Sequence, residues 1–176
     1  MSMEHKAFVF DYAAFERELR PTLLRALASG ESADLVRFID RAQCEFSDPY
    51  EGRPLRDDWQ GALSNRDVHE YGDYALTKYY DPACDIGLSY DWQEVALELE
   101  SHGLSEMILL GSALESGGRV FDPGRMGSYV QSAVQVVANL DRVTAAISHI
   151  VATERALVRV RDMLALAREQ GLYVTF

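Results

Sequence analysis

The chain has 176 residues, 48% of them hydrophobic and 26% charged, which is the length and composition of one globular domain, residues 1–176, with a continuous core. Its formal net charge of −11 argues against direct binding to nucleic acid, whose phosphates attract basic surfaces. No run reaches the roughly 18–20 apolar residues of a membrane helix, and the start, MSMEHKAFVF, lacks the long apolar segment of a secretory signal, so a cytoplasmic protein without membrane contact is expected.

The apolar run AFVF at 7–10 predicts a strand, and Asp11 after it is a helix N-cap whose carboxylate can accept from free amides of the first turn. Phe15, Leu19, Leu23, Leu24 and Leu27 continue at helical spacing, with Pro21 expected to kink or restart the helix and Gly30 to end it. Ser32 is placed to cap a second helix with an apolar stripe of Leu35, Phe38, Ile39 and Ala42. The string SDPYEGRPLRDD at 47–58 reads as a loop, and a short helix is expected at Trp59–Leu63.

DVHEYGDYALTKYYDP, residues 67–82, is the most unusual passage. On a helix Tyr71 and Tyr74 share a side that Ala75, Leu76 and Tyr79 continue, which predicts a half-buried aromatic stripe closed by Asp81-Pro82. Asp91 with Glu94 resembles a capping box opening a helix that buries Trp92, Val95, Ala96 and Leu99. MILL at 107–110 is apolar on both faces, as a central strand is, and GSALESGGRVFDPGRMG after it predicts loop, with a tight turn at Asp122-Pro123-Gly124. Ser132 and Gln135 form a second capping box before a helix with Val134, Val137, Leu140, Val143 and Ile147 inward. A last helix spans about Thr153–Gln170, capped by Gly171, and LYVTF makes a final strand. The expected fold class is therefore α+β: a mainly helical single domain with a small sheet of about three short strands covered by helices to form one core.

Charge is unevenly distributed along the chain. Residues 1–44 carry a net of −1 and 101–176 a net of zero, while 45–100 hold fourteen acids against Arg53, Arg56, Arg66 and Lys78, a net of −10. The same segment contains six of the nine tyrosines and both tryptophans. Aromatic rings anchor recognition surfaces and carboxylates complement Lys and Arg, so this segment is the candidate contact surface for a basic protein partner. Its expected contact residues are Tyr50, Asp57, Asp58, Trp59, Asp67, Glu70, Tyr71, Asp73, Tyr74, Tyr80, Asp81 and Asp85. The opposing expectation is that the carboxylates are scattered for solubility and that about half the rings are core.

Catalytic signatures are weak. His69-Glu70 with Asp73 forms an HExxD string that on a helix sets His69 and Asp73 on one face, by the logic of helical zinc motifs, with Glu70 as base. Zinc needs at least three protein ligands, only His5, His102 and His149 remain, and Gly72 weakens a helix there, so a solvated helix edge is the competing reading. Asp57-Asp58, Asp81 and Asp85 lie in loops, where carboxylates can do acid–base work. Arg119 and Arg125 flank the Gly-rich segment and could meet an anion, but neither GxxxxGK[ST] nor GxGxxG is present. Cys44 and Cys84 lack a CxxC spacing and are expected to be reduced and partly buried. No cofactor is expected.

The order MILLGSAL, a Gly-rich turn, YVQSAVQVVANLDRV, then a helix ending AREQG before LYVTF resembles the YfbM-like proteins, over residues 105–176. The resemblance implies a small bacterial α+β domain, of a kind often suspected of toxin immunity, and supplies no catalytic residue. Three expectations stand together: an immunity-like binding protein that captures a basic partner such as a toxin domain, a carboxylate- or metal-dependent hydrolase using His69, Glu70 and Asp73, or a structural homo-oligomer.

Overall fold

The computed structural model describes residues 3–124, 126–148 and 155–176. The fold is α+β and mainly helical, with eight helices among the described residues around a small antiparallel sheet. Strand β1 (Lys6–Val9) leads to α1 (Tyr12–Glu18), α2 (Arg20–Ser29) and α3 (Ala33–Asp40). Short 3₁₀ turns at Gln43–Glu45 and Trp59–Ala62 punctuate the loop before α4 (Val68–Leu76), and α5 (Trp92–Ser101) and α6 (Met107–Leu110) follow. Next come β2 (Ser112–Ala113), β3 (Glu115–Ser116), β4 (Arg119–Val120), β5 (Tyr129–Ser132), α7 (Ala133–Ser148), α8 (Arg155–Ala167) and β6 (Gly171–Thr175).

Local chemistry sets many boundaries. The Asp11 side chain accepts from Ala14 N at 3.0 Å and starts α1. Pro21 lies in the first turn of α2, where its missing N–H costs nothing, so the chain restarts at Arg20 instead of kinking. Gly30 ends α2 at φ 81°. Ser132 and Gln135 make the reciprocal capping box of α7, with Ser132 N donating to Gln135 Oε1 at 2.8 Å and Gln135 N to Ser132 Oγ at 3.3 Å.

The sheet runs β1-β6-β5-β2, antiparallel throughout. Alternation along it separates two cores. Phe8, Phe10, Val130 and Tyr173 face a cluster built with α1–α4, including Phe15, Leu23, Ile39 and Leu76. Ala7, Leu172 and Val174 face the opposite cluster with Trp92, Leu99, Val136, Val143, Leu157 and Leu164. The first half of the chain thus covers one face and the second half the other, which replaces the expected single core by two that share a sheet. The outer edge of β1 is also covered: Ile86 N donates to Ala7 O at 2.8 Å, and His5 and Ser89 exchange backbone hydrogen bonds at 3.0 Å.

Several expectations are corrected. MILL is a helical turn, and its Ile108, Leu109 and Leu110 are buried among helices; four apolar residues do not distinguish a buried helix from a strand. The strand that fills the third place is YVQS at 129–132. The Gly-rich segment contains the β3–β4 hairpin, so it is not all loop. In α7 the buried stripe is Val136 and Val143 with Leu140 and Ile147 partly covered, whereas Val134 is 79% exposed and Val137 43%. Ser32 and Asp91 make no side-chain cap, and Asp91 instead pairs with Arg159 at 2.8 Å. The last helix ends at Ala167, Gly171 opens β6 at φ 126°, and Thr153 and Arg125 lie outside the described residues. Both cysteines are exposed.

Candidate acidic and aromatic cavity around Asp73

Helix α4 carries the centre of the site. Asp67 caps it by accepting from Glu70 N at 2.9 Å. Glu70 turns back over the preceding loop, its two carboxylate oxygens accepting from the amides of Ser64 and Asn65 at 2.8 Å and Arg66 at 2.7 Å. These three donors precede the helix, and Arg66 sits at φ 54°, so one carboxylate satisfies three amides of a tight turn. His69 Nδ1 accepts from Asp122 N at 3.0 Å, and its ring stacks on Phe121.

The remaining seven residues of α4 are buried all round. Tyr71 and Tyr74 pack their rings on Trp59, at 5.8 and 5.6 Å between centroids, and Tyr74 donates its hydroxyl to Asp48 at 3.1 Å. At Gly72 a Cβ would stand 2.5 Å from the Phe121 ring and 2.8 Å from Leu23, so the glycine that weakens the helix in isolation is what lets α4 reach α2 and Phe121. With these neighbours filled, Asp73 is 6% exposed.

Asp73 lines a cavity of about 410 Å³ together with Phe8, Tyr50, Tyr80 and Phe176, and with Glu4, Lys6 and Asp85. Pro123 and Gly124 of the DPG turn close another wall, and Gly124 approaches Phe176 so tightly that a Cβ would lie 2.5 Å from its carbonyl oxygen. Beneath the cavity the rings of Phe8, Tyr80 and Tyr173 are packed, with centroids 4.6 Å apart for Phe8–Tyr80 and 5.1 Å for Tyr80–Tyr173. Burial pushes the Asp73 carboxyl up to about 7; the neighbouring Asp48 and Glu70 charges push the same way, while the Tyr50 hydroxyl bonds to it and opposes them. Tyr50 is 73% exposed overall, yet its hydroxyl bonds to Asp73, and partial burial, then the Asp73, Glu70 and Asp48 carboxylates, raise its pKa to about 12. Burial also raises the Tyr80 phenol, which stays neutral.

The twelve expected contact residues divide by this geometry. Tyr50, Asp57, Asp58, Asp67, Asp81 and Asp85 are exposed and Glu70 is half-buried. Trp59, Tyr71, Asp73, Tyr74 and Tyr80 are buried, a correction to their expected place on a contact surface, because α4 is packed on every side where a half-buried stripe was expected. Trp59 spends its indole N–H on Asp40 at 3.2 Å. Several exposed acids also serve the backbone: Asp81 accepts from Ala83 N at 2.9 Å, and Asp85 from Ala7 N at 3.0 Å and Gly87 N at 2.8 Å. The acid-rich composition of 45–100 thus partly reflects a loop-rich stretch whose amides need local acceptors. Asp57 and Asp58 are exposed in the loop beside a second cleft, lined by Asp48, Asp58, Trp59 and Tyr74.

The HExxD reading is corrected. His69 Nδ1 and both Glu70 oxygens are engaged by backbone amides while Asp73 faces the cavity, and among the described residues, which exclude His149, no group of three or more His, Cys, Asp or Glu is placed to hold a metal. Arg119 extends toward Leu27 O at 3.5 Å, over the C-terminal end of α2, where it offers no anion cradle. Glu4, Lys6, Phe8, Pro123, Gly124 and Phe176 were not recognisable as site residues in sequence, since they come from strand ends and a turn far apart in the chain. The one local signal was an acid inside the otherwise buried run YGDYAL. Among the described residues no helix is long and apolar enough to cross a membrane. No family model matches the chain, and no curated protein or solved structure does either.

Proposed function

We propose that this is a binding protein, immunity-like in kind, whose acidic and aromatic 45–100 segment captures a basic protein partner such as a toxin domain. The observation that carries this reading is the convergence of Asp48, Glu70 and Asp73 on Tyr50, a large ring left 73% exposed beside two half-buried acids and the buried Asp73 carboxyl. An exposed aromatic ring beside several carboxylates suits an anchor for Lys or Arg, and Asp57 and Asp58 extend the negative field along the same loop.

The test is binding of the full chain to an array of defined Lys/Arg-rich and Asp/Glu-rich peptides at two salt concentrations. Tyr50→Ala and the double charge reversal Asp57→Lys/Asp58→Lys are expected to weaken binding to basic peptides at least tenfold. A charge-matched control, Glu94→Lys/Glu100→Lys on α5, is expected to change it far less. Equal losses in the two double variants would reduce the attraction to net charge and end the proposal.

A second reading is favoured by one observation: Asp73 is a buried carboxyl on the wall of a cavity, where burial raises its pKa toward neutral pH and suits it to proton transfer. It requires turnover of some small substrate that Asp73→Asn abolishes, where the binding reading requires none.

A further inference from the structure

We propose that the Asp73 cavity is a receptor for a single alkylammonium group, seated against the Asp73 carboxylate and enclosed by the rings of Phe8, Tyr50, Tyr80 and Phe176. The inference deepens the binding reading above by naming the chemical group this region recognises.

Four features of the cavity support it. The first is size: about 410 Å³ is in the range of small-ligand sites and admits an unbranched amine chain of several carbons. The second is the buried carboxyl. Asp73 is more than nine-tenths buried, lines the cavity, and among the described residues has one side-chain partner, the Tyr50 hydroxyl. A carboxylate offers about four acceptor positions, so most of its capacity is unmet, and three N–H donors of an ammonium would meet it. The third is charge. The titratable groups around Asp73 are Glu4 and Lys6 on the β1 side, Asp48 and Tyr50 on the loop, Glu70 on its own helix, Tyr80 and Asp85 after it, and Tyr173 from β6. Lys6 is the one cation of that set, and it lies 3.9 Å from Glu4 with nearly half its side chain exposed. The surplus is negative, and an anionic ligand is therefore disfavoured. The fourth is the aromatic lining, whose ring faces attract a desolvated cation while the rings give an alkyl stem an apolar path.

Occupancy follows protonation. Asp73 holds a proton at mildly acid pH and must release it to pair with an ammonium, so each pH unit below about 7 reduces the binding-competent fraction about tenfold. Above that value affinity levels off until the amine itself loses its proton.

The amine can come from a lysine of the captured partner or from a free small molecule, and the probes separate these. Nα-acetyl-lysine methylamide, cadaverine and the neutral Nα-acetyl-norleucine methylamide are titrated into the full chain by calorimetry at pH 6 and pH 8. Binding of one or both ammonium probes is expected, with affinity about tenfold weaker at pH 6, and no binding of the norleucine compound. Preference for the lysine derivative assigns the cavity to a partner's side chain, and preference for cadaverine assigns it to a free amine. Asp73→Asn is expected to lose at least tenfold in affinity while remaining folded, and Tyr50→Ala to lose severalfold. Equal binding of lysine and norleucine derivatives, unchanged affinity in Asp73→Asn, or no ammonium binding at all overturns the inference. If basic peptides still bind through Tyr50, Asp57 and Asp58 while the cavity ignores amines, the broader binding reading survives and the receptor inference alone falls.

Discussion

Replacing Asp73 by asparagine is expected to stabilise the protein at neutral and alkaline pH. Its carboxyl is raised from an ordinary 3.8 to about 7, with burial as the main cause. The sign follows directly: between those two values the native state holds a proton that the unfolded state has released, so stability falls as pH rises through this window. The full loss is in place above about pH 7. A tenfold change in proton affinity corresponds to about 1.4 kcal/mol, so the buried carboxyl costs on the order of 4 kcal/mol at pH 8 relative to its behaviour when protonated. Discounting for exposure is small, since the residue is 6% exposed. Asparagine keeps the shape and never charges, so Asp73→Asn is expected to gain several kcal/mol at pH 8, about 10 °C in melting temperature for a chain of this size, and to match the wild type near pH 4. Urea denaturation of both proteins from pH 4 to pH 8 reads the difference. A pH-independent gap, or a variant less stable than wild type at pH 8, would refute the account of Asp73 as a charge held in the fold against its own stability. A residue that costs stability where it is ionised is what a binding or reacting group looks like in energetic terms.

Three further predictions rest on named contacts. His5 is fully buried and its pKa is lowered, chiefly by burial, so its neutral form contributes stability above about pH 6.5 that is lost on acidification below it; His5→Leu is expected to remove that acid slope and to cost about 1–3 kcal/mol by orphaning Leu88 N–H, both visible in the same urea series. Gly72→Ala is expected to destabilise by about 1–3 kcal/mol although alanine is the better helix former, because the new methyl meets Phe121 and Leu23; a melting temperature equal to or above wild type refutes the close approach. Glu70→Ala removes the acceptor for three loop amides and is expected to cost about 2–3 kcal/mol and to accelerate hydrogen exchange at Ser64, Asn65 and Arg66; unchanged exchange there counts against the capping role.

Much of the scaffold was legible because its causes are local. Asp11, Gly30 and the Ser132/Gln135 pair act on amides within a few residues of themselves, and Pro21 marks the restart of α2 by its own missing donor. The strands expected at AFVF and LYVTF also form, one residue earlier at each end, as Lys6–Val9 and Gly171–Thr175, the second because β6 is covered on both faces and needs apolar residues on each. MILL carried the same pattern and became a helical turn, since an apolar run reports burial without reporting backbone shape.

The sequence by itself determined where the charge lies and that a tyrosine-bearing helix begins in the 67–82 passage, for composition and helical period are properties of neighbouring residues; the helix ends at Leu76, and Tyr79, expected to continue its stripe, lies beyond it. Only the tertiary structure decided which acids are free and which are fastened to backbone amides. It alone buried Asp73 in the wall of a cavity, because that cavity is assembled from Glu4, Phe8, Tyr50, Asp73, Tyr80 and Phe176, brought together from both ends of the chain by the pairing of β1 with β6. Desolvation depends on what packs against a group from elsewhere, and no local pattern around Asp73 records those neighbours.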